Sequence, residues 1–390
     1  MKKLQRSRFT DVEQLKRFSP SRLAEFLRPF ADKLNLKLPQ IPNDENMPYG
    51  AIRKACFRFD DDMPGEFLVA THLISSIATP RQRQRLMDLA EKKRIPLNIP
   101  ADVSDHDFAL LAWQENPDLV EMTLAQSIML RQRRYSYYPN AKRFESAVTP
   151  SASAIKSACR ELDDVFGIKG YGIGANIMVE DSPEEIWFLI RRGEHIARVA
   201  AVADDGSSEI HVLRPENYDV VVLNKRHGFL KVLLKPDNQG LHPHYRGIFG
   251  RLLFGHSEAF HSRDCFHVEM FKTADSSLLS SDGLTDLRFA TLVSVQYDLP
   301  GAGKRSRRFT SPDIFLDLQP GELAIPKHAT PKDVTIRFEF SDDRKHIDAK
   351  IFAGTTATFS RDGAAYLIDE WLIALNILRL SEASEREKAA

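Results

Sequence analysis

The stretch GIKGYGIGANIMVE, residues 167–180, marks the place where the pattern of apolar residues changes. Before it, apolar residues recur every three to four positions, which is typical of helices that bury one face. After it, they alternate with polar residues or form short runs closed by turns, which is typical of strands. The sequence therefore predicts an α+β protein with a helical first half and a β-rich second half.

Helix-start signals recur along the first half. Prolines open several amphipathic segments, and Ser104 with Asp107 three residues later resembles a capping box. The helices that we expect lie within residues 19–36, 64–78, 80–93, 104–114, 117–135 and 153–166. Because the connections are short, consecutive helices are expected to be neighbours in one bundle. We therefore predict an N-terminal helical domain over residues 1–166.

Short strand-like segments fill most of the second half. They lie at residues 185–192, 195–203, 209–213, 219–224, 229–235, 286–297, 334–340 and 346–352. Tight turns separate several of them, which favours mostly antiparallel pairing. The segment 362–380 has a broad apolar stripe typical of a helix that is buried against its own core or a partner. We predict a glycine-containing linker at 167–182, a β-rich domain with a C-terminal helix at 183–380, and a frayed tail at 381–390.

The composition is that of a globular protein, and its charges balance at 54 basic and 54 acidic side chains. Residues 1–150 hold 24 of the basic and 19 of the acidic side chains, which allows a basic surface on the first half. Three widely spaced cysteines do not suggest a disulfide framework, so we expect a reducing, cytoplasmic location. We expect no secretory signal and no membrane partner, because no apolar run is long enough for either.

One segment, LRQRRYSYYPNAKRF at residues 130–144, interleaves basic and aromatic residues. Cations can contact phosphates while aromatic rings stack on bases, so this pattern favours nucleic-acid binding. The candidate residues are Arg131, Arg133, Arg134, Tyr135, Tyr137, Tyr138, Lys142 and Arg143. The same residues also suit the end of a helix, where cations meet the carbonyl terminus and tyrosines pack on a neighbour.

A second segment concentrates histidine. Five of the twelve histidines and one cysteine fall within residues 242–267. Imidazole and thiolate are preferred zinc ligands, and the candidates are His244 or His256 together with His261, Cys265 and His267. Their spacing matches no common zinc motif, and scattered surface histidines explain the cluster equally well. Zinc is therefore the one cofactor that we consider, and no other is expected.

Two glycine-rich segments do not fit known phosphate-binding motifs. Gly170, Gly172 and Gly174 are followed by a strand-like segment and not by a helix, so we interpret them as an interdomain turn. The segment LPGAGKRS at 299–306 lacks the first glycine and the Ser or Thr of a P-loop, which favours an exposed basic loop. Asp219 and Lys231 resemble part of a nuclease site, but the strand of Lys231 has no carboxylate to hold a metal.

No common catalytic motif is present, although catalytic residues can lie far apart in a sequence. Our leading hypothesis is an intracellular module without catalytic activity that contacts nucleic acid or an acidic partner through residues 131–143. One alternative is a metal-dependent enzyme built on residues 242–267. Another is an adaptor subunit of a bacterial assembly, in which the C-terminal helix contacts a protein partner or a second copy of the chain.

Overall fold

A computed structural model describes most of the chain. The described residues are 7–57, 63–130, 134–140, 149–202, 207–235, 238–272, 276–279, 287–299, 305–317, 325–326, 328–341, 346–361 and 366–380. Within them, N-terminal helices precede a large antiparallel sheet, and a helix follows near the C-terminus. The α+β fold predicted from the sequence is therefore confirmed.

Six helices lie in the predicted segments, but the one expected over 19–36 ends at Leu27 and the one expected over 117–135 ends at Leu130, before the strand Arg134–Tyr138. The helices are α1 Ser7–Thr10, α2 Val12–Leu15, α3 Pro20–Leu27, α4 Tyr49–Phe57, α5 Gly65–Ile77, α6 Pro80–Lys93, α7 Asp105–Glu115, α8 Pro117–Leu130, α9 Ala152–Ile168, α10 His242–Phe254, α11 Ile314–Asp317 and α12 Tyr366–Ala374. The expected cap of α7 is present, since Ser104 Oγ accepts a hydrogen bond from the Asp107 amide at 3.1 Å. Asp107 is itself held by the Ser19 amide at 2.8 Å, which ties the start of α7 to the start of α3.

The strands form one large sheet and one small one. They are β1 Arg134–Tyr138, β2 Asn176–Asp181, β3 Glu185–Gly193, β4 Ala197–Val202, β5 Ser208–Leu213, β6 Glu216–Asn224, β7 Leu230–Leu233, β8 Leu287–Leu299, β9 Arg305–Thr310, β10 Thr330–Phe340, β11 His346–Phe352 and β12 Thr356–Thr358. The large sheet has the order β2-β3-β6-β7-β1-β12-β11-β10-β8-β9, and its neighbours pair antiparallel. Strands β4 and β5 form the small sheet.

The chain divides into two compact units. The helical unit consists of Met1–Ile128 and Arg198–Val212, and the sheet unit consists of Met129–Ala197 and Leu213–Ala390. The boundaries differ from the predicted domains 1–166 and 183–380. The reason is that β1 and α9 belong to the sheet unit, where Leu162 and Phe166 of α9 pack into the core against the sheet. Apolar periodicity predicts a helix but not the core on which that helix packs.

The glycine-containing segment also differs from its predicted role as an interdomain linker. It joins α9 to β2 within the sheet unit, and residues 176–181 are already a strand. Gly170, Gly172 and Gly174 have φ angles of +79°, +83° and +108°, a backbone region that favours glycine. The amides of Gly174 and Ala175 donate to the Asp163 carboxylate at 2.7 Å each. In a phosphate-binding loop such amides would donate to a phosphate, but here the carboxylate of Asp163 accepts these hydrogen bonds.

Helices cover both faces of the sheet at different places. On one face α9 and α10 pack over β3, β6 and β7, with the rings of Phe188 and Phe249 5.0 Å apart. On the other face α12 packs on β10, with Phe338 and Trp371 5.0 Å apart. The apolar stripe of α12 and the turn after it is largely buried within the chain, as Ile368, Leu372, Ile377 and Leu378 show. In the part of the chain that the structure describes, no helix is long and apolar enough to cross a membrane.

Candidate nucleic-acid interface

Strands β1, β12, β11, β10, β8 and β9 present a hydrophilic surface that we call the polar sheet face. Side chains alternate between the two faces of a strand, so the pairing register decides which residues share a face. One row of partners across these strands is Arg134, Thr358, Lys350, Thr335, Ser294 and Thr310. A neighbouring row contains Phe352, Asp333, Gln296 and Arg308, and a third contains Asp348, Arg337 and Thr291. The alternate residues Val334, Ile336 and Phe338 are buried on the opposite face, as the sequence predicts.

The charges on the polar sheet face are only partly neutralised. Lys350 and Arg308 share one carboxylate, that of Asp333, with N–O distances of 3.2 and 3.8 Å. Arg337 and Asp348 form a two-point ion pair with N–O distances of 2.8 and 3.1 Å. Two cations against one carboxylate leave a positive charge near Asp333, and the exposed Arg134 adds another. This part of the face therefore favours an anionic ligand.

An aromatic ring lies among these cations. Phe352 is half-buried at the end of β11. The Lys350 Nζ lies 4.8 Å from the centroid of its ring, and the Arg134 guanidinium carbon lies 5.8 Å from it. Both distances are within the range of cation–π attraction. The ring therefore gives the polar sheet face an apolar surface with positive charge at its border.

The predicted nucleic-acid-binding residues are divided by the structure. Arg134 begins β1 with an exposed side chain on the polar sheet face. Tyr135, Tyr137 and Tyr138 follow it in the same strand, but they are 0, 0 and 4% exposed. These three rings have no free face for a base, because β1 lies in the middle of the sheet. Arg131, Arg133, Lys142 and Arg143 lie outside the described residues.

The buried tyrosines take part in polar contacts instead. Tyr138 bonds to His242 Nδ1 at 2.7 Å beneath α10. On the opposite face, the Tyr137 hydroxyl donates to Asp369 at 2.7 Å and accepts from Arg361 at 2.7 Å. The Asp369 carboxylate also accepts a hydrogen bond from Lys231 Nζ at 2.9 Å. These contacts tie the centre of the sheet to α12.

Lys231, Asp369, Arg361 and Glu185 form what we call the buried charge cluster. Lys231 forms ion pairs with the carboxylates of Glu185 and Asp369, and Nη1 of Arg361 lies 3.4 Å from Oδ2 of Asp369. Burial raises the pKa of the Asp369 carboxyl, but Lys231 and Arg361 outweigh it and hold that pKa below its usual range. The sequence did not predict this cluster, because its members are far apart in the chain. The only signals are single charges inside apolar runs, such as Lys231 in FLKVLLK.

A separate buried ion pair lies beneath α10. Arg192 Nε donates to the Asp219 carboxylate at 2.6 Å, and the Tyr245 hydroxyl donates to the same oxygen at 2.7 Å. Asp219 therefore lies on the face of the sheet that α10 covers, whereas Lys231 lies on the face that α12 covers. The two residues of the nuclease-like pattern are thus on opposite faces and do not form a joint site.

The histidine-rich segment is spread over α10 and the chain after it. His244 and His261 are exposed, and His256 and His267 are half-buried. Cys265 is buried, and its burial raises the pKa of the thiol well above the usual range, so it is protonated at neutral pH. Across the described ranges, no three His, Cys, Asp or Glu side chains lie close enough together to hold a metal ion.

The predicted basic loop at 299–306 is partly a strand. Arg305, Arg307 and Arg308 belong to β9, which pairs with β8 and lies at one edge of the large sheet. Their side chains are exposed, and Lys304 lies outside the described residues. Charged side chains on an edge strand oppose unwanted pairing with another strand. Arg308 lies on the polar sheet face beside Gln296, whereas Arg307 pairs with the buried Tyr297 and lies on the opposite face.

The polar sheet face combines a local excess of positive charge around Asp333, an aromatic ring and a row of hydroxyl groups. Phosphate and base contacts require these groups. A scan against models of known protein families finds no match to this chain, and a search of curated proteins finds no significant match.

Proposed function

We propose that the protein is a binding module without catalytic activity of its own, and that its polar sheet face binds single-stranded nucleic acid. One observation carries this proposal: Phe352 lies beside the cations Lys350 and Arg134 on an exposed sheet surface. A base can stack on such a ring while the neighbouring cations contact the flanking phosphates.

The arrangement of the cations supports an extended ligand. Arg134 on β1, Lys350 on β11 and Arg308 on β9 lie on the same face. Five inter-strand steps separate β1 from β9, which is about 24 Å at a spacing of ~4.8 Å per step. A nucleic-acid strand that crosses the β-strands would pass each of these cations in turn. The intervening Thr358 and Thr335 are half-buried and offer hydroxyl groups to its phosphates or sugars.

An acidic polypeptide is the competing ligand, because it also meets the requirement for negative charge. The aromatic ring distinguishes the two ligands, since a base gains about 1–3 kcal/mol by stacking and a carboxylate gains nothing from a ring face. Phe352 is therefore expected to contribute to affinity for oligonucleotides and not to affinity for poly-glutamate.

The proposal can be tested by fluorescence anisotropy with a labelled single-stranded oligonucleotide at low salt. We expect Arg134→Ala and Phe352→Ala to weaken binding about fivefold or more each, since each removes one charge or stacking contact. Arg160→Ala is the matched control, because Arg160 is an exposed arginine on α9 and not on the polar sheet face. Binding that is absent at low salt would refute the proposal. Equal losses in all three variants, or tight binding of poly-glutamate that does not depend on Phe352, would refute it as well.

A further inference from the structure

A small cavity of about 220 Å³ adjoins the buried charge cluster on the α12 face of the sheet. Glu185 and Arg361 of the cluster line it, together with Trp187, Tyr366 and Ser182. Pockets for drug-sized ligands are typically about 300–1,000 Å³, so this cavity suits a smaller, compact molecule. Two aromatic side chains and two buried charged side chains in one small space are a composition typical of ligand sites.

Two buried donors, one in the cavity wall and one behind it, have no hydrogen-bond partner among the described residues. They are the Nε of Arg361 and the hydroxyl of Tyr135. Arg361 is 4% exposed and lines the cavity. Tyr135 is fully buried behind the wall. Its ring is edge-on to that of Trp187, with the ring centroids 6.5 Å apart, and the Arg361 guanidinium carbon lies 4.7 Å from its centroid. Buried donors in proteins are almost always paired, so the unpaired Nε of Arg361 in the wall indicates an acceptor that enters the cavity.

The charge of the cluster limits the nature of that acceptor. Lys231 and Arg361 are balanced by Glu185 and Asp369, so the cluster is neutral before any ligand binds. An anion would therefore add an uncompensated charge to a buried site, and the exposed Glu184 at the rim would repel it. A neutral carbonyl oxygen can accept from Arg361 without this cost. An N–H group of the same ligand can donate to the Glu185 carboxylate.

We propose that this cavity binds a small, planar, uncharged heterocycle that presents a carbonyl acceptor beside an N–H donor, as the nucleobases do. Trp187 and Tyr366 hold the ring by stacking, Arg361 donates to its carbonyl, and Glu185 accepts from its N–H. This site is independent of the polar sheet face, because Tyr135 and Phe352 lie on opposite faces of the sheet.

The probe is uracil, and the measurement is saturation-transfer-difference NMR with the full chain, followed by a titration. We expect uracil and uridine to bind, and benzoate and benzylamine to bind at least tenfold more weakly, because each brings a charge. Uridine 5′-monophosphate is expected to bind more weakly than uridine, owing to Glu184. Tyr366→Leu should weaken uracil binding about fivefold or more, since it removes one stacking wall.

Two variants act as controls, and circular dichroism confirms that each remains folded. Phe57→Leu alters an exposed aromatic residue of the helical unit and should leave uracil binding unchanged. Phe352→Ala reports separately on the polar sheet face, where a base can also stack. The proposal is wrong if uracil gives no signal, if benzoate or the monophosphate binds better than uridine, or if Phe352→Ala weakens uracil binding while Tyr366→Leu does not. The last outcome would assign base binding to the polar sheet face.

Discussion

The Lys231 Nζ lies 2.9 Å from Oδ2 of Asp369, and both side chains are almost completely buried. This contact joins β7, in the interior of the sheet, to α12 near the C-terminus of the chain. Asp369 is the only one of the four charged groups in the cluster that contacts Lys231, Arg361 and Tyr137 together. Its removal therefore affects both buried cations at once.

We predict that Asp369→Asn destabilises the protein by about 3 kcal/mol or more, because it leaves buried positive charge uncompensated. Chemical denaturation followed by circular dichroism measures this change. Glu370→Gln is the matched control on the next residue of α12. Its partners Arg226 and His227 are more exposed, so a loss below about 1 kcal/mol is expected. Equal losses in the free energy of unfolding of the two variants would contradict the prediction that the buried charge cluster stabilises the protein.

The same carboxyl is expected to make stability depend on acid pH. The folded protein holds the pKa of Asp369 below its value in the unfolded chain, so the ionised form is favoured by folding. The resulting stabilisation is complete above the unfolded pKa and is lost as the pH falls through the folded pKa. Denaturation midpoints measured at stepwise lower pH should fall less steeply for Asp369→Asn than for the wild-type chain. Parallel pH profiles would show that Asp369 does not contribute.

The helical unit should show a pH dependence in a different range. Burial, aided by Arg8 and Arg17, lowers the pKa of His106 to about 4 from its usual 6.5. The unfolded chain therefore takes up a proton first, and stability decreases as the pH falls from about 6.5 towards 4. NMR titration of the His106 ring checks the pKa directly. His106→Gln should remove this part of the pH dependence, and an unchanged profile would contradict the prediction.

Two glycines of α10 should respond in opposite ways to alanine. A Cβ added at Gly250 would lie 2.6 Å from the His256 carbonyl oxygen, so the backbone must move. We expect Gly250→Ala to destabilise by about 1–3 kcal/mol. A Cβ at Gly247 would approach nothing closer than 3.9 Å. Gly247→Ala should therefore stabilise by about 0.5–1 kcal/mol through helix propensity, and thermal melts of the two variants compare them directly.

Oligonucleotide binding to the polar sheet face should depend strongly on salt. Each phosphate contact contributes a slope of about −0.7 to the logarithm of the association constant against the logarithm of salt concentration for single strands. Arg134→Ala and Arg308→Ala are each expected to make the slope less steep by about that amount. Anisotropy titrations at several salt concentrations measure the slope. A slope near zero in the wild-type chain would exclude phosphate contacts.

Local sequence patterns predicted most of the elements but not their neighbours, and the helix expected over 117–135 overlapped the start of β1. The alternation of Val334, Ile336 and Phe338 predicted both β10 and its buried face. The burial of Tyr135 and Tyr137 was not predicted, because the pattern of the segment favours a helix end or a surface segment and not the strand that it forms. A short basic and aromatic strand also has the same pattern at the edge and in the middle of a sheet. The position of β1 is decided by its pairing with β7 and β12, which lie much later in the chain.

The candidate site depends on the same distant pairing. Arg134 meets Phe352 only because β12 lies between β1 and β11 in register. No local pattern contains this information. The buried charge cluster is equally distributed, since Glu185, Lys231, Arg361 and Asp369 come from four separate segments. Single charges within apolar runs, such as Lys231, are the only local signal of this cluster, and their partners follow only from the fold.

The division of the helical unit into two chain segments has a consequence for synthesis. Its second segment, Arg198–Val212, leaves the ribosome long after Ile128, by roughly ten seconds at typical rates of translation. Strands β1, β2 and β3 of the sheet unit are made during that interval. The helical unit therefore cannot be completed from its first segment alone, and for several seconds the nascent chain carries two incomplete units at the same time.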